Sequence, residues 1–153
     1  MTATANPLKM RRDSRDQQSP AIFYKLKIDT KIPAGTLAMR VLGNDYVEPY
    51  VGNTNNAILM GVAEKTYDNT GGVAVKTYGN DDPMVFNRGT FFQFLSDGTI
   101  TFDDVGALVG LKDNQTIGHT AAANDATAEL LGIIADRSGA TSYAVRIKQA
   151  GPT

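Results

Sequence analysis

The chain has 153 residues, a formal net charge of -1 and no cysteine. This length suits one domain with a buried core, and the near-neutral charge argues against nucleic-acid binding through phosphate neutralisation. The lack of cysteine excludes disulfides and thiolate metal sites. No apolar run approaches the ~20 residues that span a bilayer, and no apolar signal segment precedes Pro20. We therefore expect no membrane association, and folding in the compartment of synthesis.

The N-terminal segment has a different charge from the rest. Residues 1–31 contain seven Lys or Arg and three acids, whereas the remainder contains eight bases and thirteen acids. Residues 1–20 also hold few large apolar side chains, so they cannot offset the entropy of ordering by burial. We predict a flexible arm at 1–20 and a single β-rich domain at 21–150. Two interpretations remain open: a disordered tail, or an arm that orders against a neighbouring subunit.

Alternating and β-branched segments predict several short strands in the first half of the domain. Pro49 indicates that its strand lies at an edge or carries a bulge. A Gly71-Gly72 turn predicts a hairpin connection at 67–72. The predicted strands are 21–29, 36–42, 46–51, 57–63 and, returning from that hairpin, 73–78.

The second half continues the same pattern. We predict a hairpin in which an aromatic strand at 90–95 turns at 96–98 and returns at 99–102. A polar loop at 113–125 contains His119, the only histidine. The other predicted strands are 84–86, 106–111, 130–135 and 143–147. About ten short strands without a long helical stripe predict an all-β barrel or sandwich.

Three landmarks recur in the same order at 33–76 and 104–148. Gly35 matches Gly106 and Gly61 matches Gly132, while Ala-Val-basic triplets recur at 74–76 and 144–146. Chance similarity between glycine-rich and valine-rich strands is the alternative. The repeat predicts a compact body made of two weakly similar lobes.

No catalytic constellation is evident. His119 lacks a Gly-x-Ser-x-Gly partner motif, so we interpret it as a solvated loop residue. The pairs Asp81-Asp82 and Asp103-Asp104 lack the spacing of a calcium loop. We therefore predict no catalytic residue, no metal and no cofactor. The phenylalanines at 91, 92, 94 and 102 are interpreted mainly as core, although one strand face is a candidate apolar contact surface for a partner.

The order of these segments is similar to a known family. Gly-Val-Ala at 61–63, Val-Ala-Val-Lys-Thr at 73–77, Val-Gly-Ala-Leu-Val at 105–109 and Tyr-Ala-Val-Arg-Ile at 143–147 resemble tailed-phage capsid decoration (cement, or head-stabilising) proteins. The resemblance covers roughly residues 30–150. It implies a small barrel or β-tulip domain without catalytic residues. It also implies binding to the outer surface of an icosahedral phage capsid, often as a trimer.

This resemblance defines the expected partners. They are the major capsid protein and further copies of the chain, with the virion surface as the location after synthesis in the host cytoplasm. The long basic arm is less typical of the family. We hypothesise that its arginines meet acidic shell patches while two aromatic residues anchor its base. The candidate contact residues are Met10, Arg11, Arg12, Arg15, Phe23 and Tyr24.

Three other functions remain as alternatives. A tail, fibre or baseplate β module would keep the chain in the virion but at another place. A carbohydrate-binding module would need a platform of surface aromatic rings, and the chain has no tryptophan. A small hydrolase would need a nucleophile beside His119.

Overall fold

The structure, a computed structural model, describes residues 23–79, 81–89, 91–135 and 137–148. Within these residues the chain is almost entirely β, which confirms the predicted all-β class. One short 3-10 turn spans Phe102–Asp104. The strands are β1 (Tyr24–Leu26), β2 (Lys31–Ile32), β3 (Leu37–Val41), β4 (Glu48–Pro49), β5 (Ala57–Ala63), β6 (Tyr67–Asp68), β7 (Lys76–Tyr78), β8 (Phe86–Asn87), β9 (Phe92–Ser96), β10 (Leu108–Leu111), β11 (Thr116–Gly118), β12 (Thr127–Ala135) and β13 (Thr141–Lys148).

The strands from β9 onward form a closed barrel in the order β10-β11-β9-β13-β12. Pairing of β10 with β12 closes it, and β11 with β9 is its parallel pair. Closure leaves no free sheet edge where these ladders meet. The interior is filled by alternate residues of the strands, including Phe94, Val109, Leu111, Ile117, Ala128, Leu130 and Val145.

The first half contributes a central sheet in the order β4-β3-β5-β8 and two small sheets, β2-β6 and β1-β7. The central sheet is buried on both faces. Leu37 and Met39 pack into the core shared with the barrel, whereas Ala38 packs into a second core beneath the small sheets. This double burial explains the nearly continuous apolar sequence of β5. Pro49 lies in β4 at the edge of the central sheet, as predicted.

A β-bulge shifts the alternation of side chains along β5. Ala38 pairs with Gly61 and Met39 with Leu59, so Met60 is the extra residue. Leu59 and Val62 consequently face the same core although they are three positions apart. Gly61 adopts φ +117 at the bulge, a conformation that glycine allows without steric cost.

Two of the three repeated landmarks lie in similar strand arrangements. Gly35 and Gly106 donate backbone hydrogen bonds to Ala63 O (2.8 Å) and Leu130 O (2.7 Å). Strand β3 follows Gly35, pairs antiparallel with β5 and is flanked by β4 on its other side. Strand β10 follows Gly106, pairs antiparallel with β12 and is flanked by β11. The third landmark differs, because Lys76 lies in β7, which pairs with β1, whereas β13 pairs with β12.

Two predicted hairpins are wrong. Strand β7 pairs with β1 rather than returning beside β6, which pairs with β2. The predicted return strand at 99–102 is absent, because β9 has β11 and β13 on its two sides. The 3-10 turn begins directly after Thr101, where Asp104 Oδ2 accepts the Thr101 N–H at 2.7 Å. The predicted loop at 113–125 contains β11.

A buried tyrosine joins the two halves of the chain. Tyr50 is 1% exposed, and its hydroxyl donates to Leu111 O at 3.0 Å. The same hydroxyl accepts the Ala126 N–H at 2.8 Å. Burial raises the pKa of Tyr50, so the phenol stays protonated and keeps both bonds at neutral pH.

Candidate functional site

Two of the six predicted contact residues lie at the start of the described chain. Phe23 is 61% exposed, and its ring covers Gly79, where a Cβ atom would lie 2.2 Å from Phe23 Cε1. Tyr24 is half-buried at the start of β1, with its ring edge-on to Phe86 at a centroid distance of 5.5 Å. Both rings therefore pack against the folded body at the N-terminal end of the described chain.

The other four predicted contact residues lie outside the described residues: Met10, Arg11, Arg12 and Arg15. The predicted arm at 1–20 lies there too. The arm itself and the contact between its basic side chains and a partner therefore stay predictions.

His119 follows β11 and contacts a carboxylate from a different part of the chain. Its Nδ1 hydrogen-bonds to Asp104 Oδ1, and its backbone N–H donates to Thr99 Oγ1 at 2.8 Å. The side chain is 60% exposed. The prediction of a solvent-exposed histidine is therefore confirmed, and the contact with Asp104 is a feature that the sequence did not indicate.

The Asp104 carboxylate is held by its own turn as well as by the imidazole. Its side chain is 6% exposed, whereas the neighbouring Asp103 is exposed. The Thr101 N–H holds the pKa of Asp104 below its usual range; burial opposes this effect and the contact with His119 reinforces it. The contact with this carboxylate fixes the orientation of the His119 ring.

A pocket of about 420 Å³ lies beside His119. Its other lining residues include Asp97, Thr99, Thr101 and Lys112. Thr99 Oγ1 donates to Asp97 Oδ1 at 2.6 Å, and Thr101 Oγ1 lies 3.4 Å from Asp104 Oδ2. Because both hydroxyls face carboxylates of their own turns, neither is placed as a nucleophile activated by the imidazole.

A second carboxylate binds the two halves of the chain together nearby. Asp125 is 3% exposed at its side chain and accepts the Asn53 N–H at 2.6 Å, the Ala122 N–H at 2.7 Å and Lys112 Nζ at 3.1 Å. Burial raises the pKa of Asp125, but these donors outweigh it, and the net shift is downward. The network fixes the loop before β5 against the barrel.

Two exposed apolar side chains lie on one side of β9 and of the residue that precedes it. Phe91 and Leu95 are each 51% exposed, with exposed Gln93 between them, whereas Phe94 is buried and Phe92 packs against the core. The period of two along a strand places Phe91, Gln93 and Leu95 on the outer side of the barrel. These three residues are called the β9 outer face below.

Metal binding has little support in the described part of the chain. No group of three or more His, Cys, Asp or Glu side chains is placed there to hold a metal ion. Asp82, from one of the two aspartate pairs, forms an ion pair with Lys65 at 2.9 Å. In those same segments, no helix is long and apolar enough to cross a membrane.

Comparisons with known proteins add no relative. No family model, no curated protein and no solved structure matches this chain.

Proposed function

We propose that this chain is a non-enzymatic structural protein that binds the outer surface of an icosahedral tailed-phage capsid and stabilises the expanded shell, acting as a trimer. The observation that best supports this proposal is the β9 outer face. A strand that directs Phe92 and Phe94 inward, yet leaves Phe91 and Leu95 half-exposed, offers apolar area to a protein partner. Aromatic residues are enriched at such interfaces.

The stabilising effect follows from mass action. A protein that binds the assembled shell and not its dissociated subunits shifts the equilibrium toward the shell. Many copies on one particle add their effects. The closed barrel suits this role because the ladders that close it leave few backbone groups free to pair with the wrong chain.

The basic arm supplies a second contact in this proposal. Phe23 and Tyr24 pack at its base against Gly79 and Phe86. Residues Arg11, Arg12 and Arg15 then reach acidic patches on the shell or on a neighbouring subunit. Ordering the arm on docking costs entropy, so its net contribution to affinity is smaller than its contacts suggest.

The test is co-sedimentation with expanded, emptied capsids that lack this protein. We expect saturable binding at a fixed ratio to the major capsid protein, weakened by Leu95→Ser and by deletion of residues 1–20. Val73→Ser is the matched control, because Val73 is 94% exposed and lies between β6 and β7, which do not belong to the barrel. Circular dichroism verifies that each variant is folded.

One outcome would overturn the proposed function, and another would overturn the contacts assigned to it. If folded wild-type protein does not sediment with capsids, the tail, fibre or baseplate alternative replaces it. If Leu95→Ser and the deletion both bind like Val73→Ser, neither the β9 outer face nor the arm is the contact.

A further inference from the structure

A small pocket lies at the seam between the central sheet and the barrel. It is lined by Leu59, Gly61, Arg88, Gly89, Phe92 and Ile147. Its volume of about 230 Å³ exceeds the roughly 150 Å³ of an apolar cavity that accepts benzene. The pocket therefore has room for one group the size of a large apolar side chain.

The bulge in β5 shapes one wall of this pocket. Gly61 carries no side chain there, and a Cβ atom would lie 2.7 Å from Asn87 O and 3.1 Å from Arg88 Cγ. The backbone of β8 and the stem of Arg88 consequently pack directly on the bulge. Phe92 and Ile147 provide apolar walls from the barrel side.

Arg88 is the charged group of the pocket. Its Nε donates to Met60 O at 3.0 Å, and one terminal nitrogen donates to Leu59 O at 3.4 Å. A guanidinium has five N–H donors, so these two bonds leave donors available. None of the ion pairs among the described residues includes Arg88.

These features indicate the kind of group that the pocket can bind. Two backbone bonds hold the guanidinium in one orientation beside an apolar space, so little side-chain entropy remains to be lost on binding. A planar carboxylate matches the remaining fork of donors, and charge-assisted bonds of this type are the strong ones. An uncharged apolar ligand would fill the space without using the remaining donors of Arg88, which is an exposed residue.

We propose that this seam pocket binds a monocarboxylate whose apolar body fills the space between Phe92 and Ile147 and whose carboxylate pairs with Arg88. The carboxylate is either that of a free small acid or that of the last residue of a partner chain, which present the same chemistry. This inference is independent of capsid binding.

The test is an NMR titration of the ¹⁵N-labelled full chain with 3-phenylpropanoate and with its uncharged amide. We expect saturable shifts of the Gly61 and Gly89 amides. The acid should bind about tenfold or more tightly than the amide, the size of effect expected from one charge-assisted pairing. No saturable shift up to about 10 mM, a range that covers weak millimolar binding, or equal binding of acid and amide, overturns the proposal.

Variants assign the effect to one arginine. Arg88→Met keeps the apolar stem and should bind acid and amide equally. Arg146→Met is the matched control, because it also removes one positive charge and Arg146 is next to Ile147 in the sequence. The Arg146 side chain pairs with Glu129. This variant should therefore keep the preference for the acid. Equal loss of that preference in both variants overturns the role of Arg88. The wild-type comparison of acid with amide remains decisive if Arg88→Met does not fold.

A peptide separates the two sources of the carboxylate. N-acetyl-Gly-Gly-Phe with a free C-terminus is titrated beside 3-phenylpropanoate. Tighter binding of the peptide supports the end of a partner chain as the ligand, and tighter binding of the free acid supports a small molecule. Failure of both to bind overturns the proposal.

Discussion

Replacement of Tyr50 by phenylalanine tests how the two halves of the chain are held together. The substitution keeps the ring and removes one hydroxyl, which donates to Leu111 O and accepts from Ala126 N–H. Both partners belong to the barrel side of the seam, and Tyr50 is 1% exposed. Water therefore cannot readily replace the lost bonds.

The expected loss of stability follows from the two backbone groups that Tyr50→Phe leaves without their hydrogen-bond partner. A neutral hydrogen bond contributes about 1 kcal/mol net, and a buried group left without a partner costs about 1–3 kcal/mol. The free energy of unfolding should fall by about 2–4 kcal/mol in Tyr50→Phe. At about 2–4 °C per kcal/mol for a chain of this size, Tm should fall by about 5–15 °C.

The assay is urea unfolding followed by circular dichroism. Tyr24→Phe is the matched control, because the Tyr24 ring packs on Phe86 while its hydroxyl makes no hydrogen bond with another described residue. It should change the free energy of unfolding by less than about 0.5 kcal/mol, because the ring packing is kept and no hydrogen bond with a described residue is lost. A similarly small change in Tyr50→Phe would refute the argument that this hydroxyl links the halves.

Two further changes probe the same seam. Gly52→Ala should be destabilising, measured by Tm, because Gly52 has φ +74 and a Cβ atom would lie 2.1 Å from the Lys112 carbonyl oxygen; an unchanged Tm would show that the loop can move away. Asp125 has a lowered pKa in the folded chain, so the unfolded chain binds more protons in acid. The stabilisation that Asp125 contributes is therefore present above the unfolded pKa of about 3.9. It is lost as the pH falls through the lower pKa of the folded chain. Unfolding measured against pH should therefore show a weaker acid dependence in Asp125→Asn than in wild type, and identical slopes would contradict this.

Local patterns in the sequence predicted individual strands better than their partners. The run at 57–63 coincides with β5, and Pro49 lies in an edge strand, because burial and the missing proline N–H act on the strand itself. Pairing depends on distant segments. Strand β7 pairs with β1 because the N-terminal strand occupies the position that a local hairpin would need.

The site residues show the same difference. Exposure of Phe91 and burial of Phe94 follow from the period of two along β9. The contact between His119 and Asp104 was not predictable, because it joins the end of β11 to the 3-10 turn. Arg88 likewise has no local motif, and its role depends on a bulge that only the paired strands reveal.

The position of β13 has a consequence for how the chain acquires its structure. Phe92 in β9 pairs with Val145 in β13, and β13 also pairs along the length of β12. During synthesis, β9 must therefore wait for a strand that emerges much later, while its apolar residues remain exposed to other nascent chains. Non-local pairing of this kind slows folding and lengthens exposure to aggregation. Mutations that weaken β13 should consequently reduce the soluble yield in cells more than the equilibrium stability of the purified protein suggests.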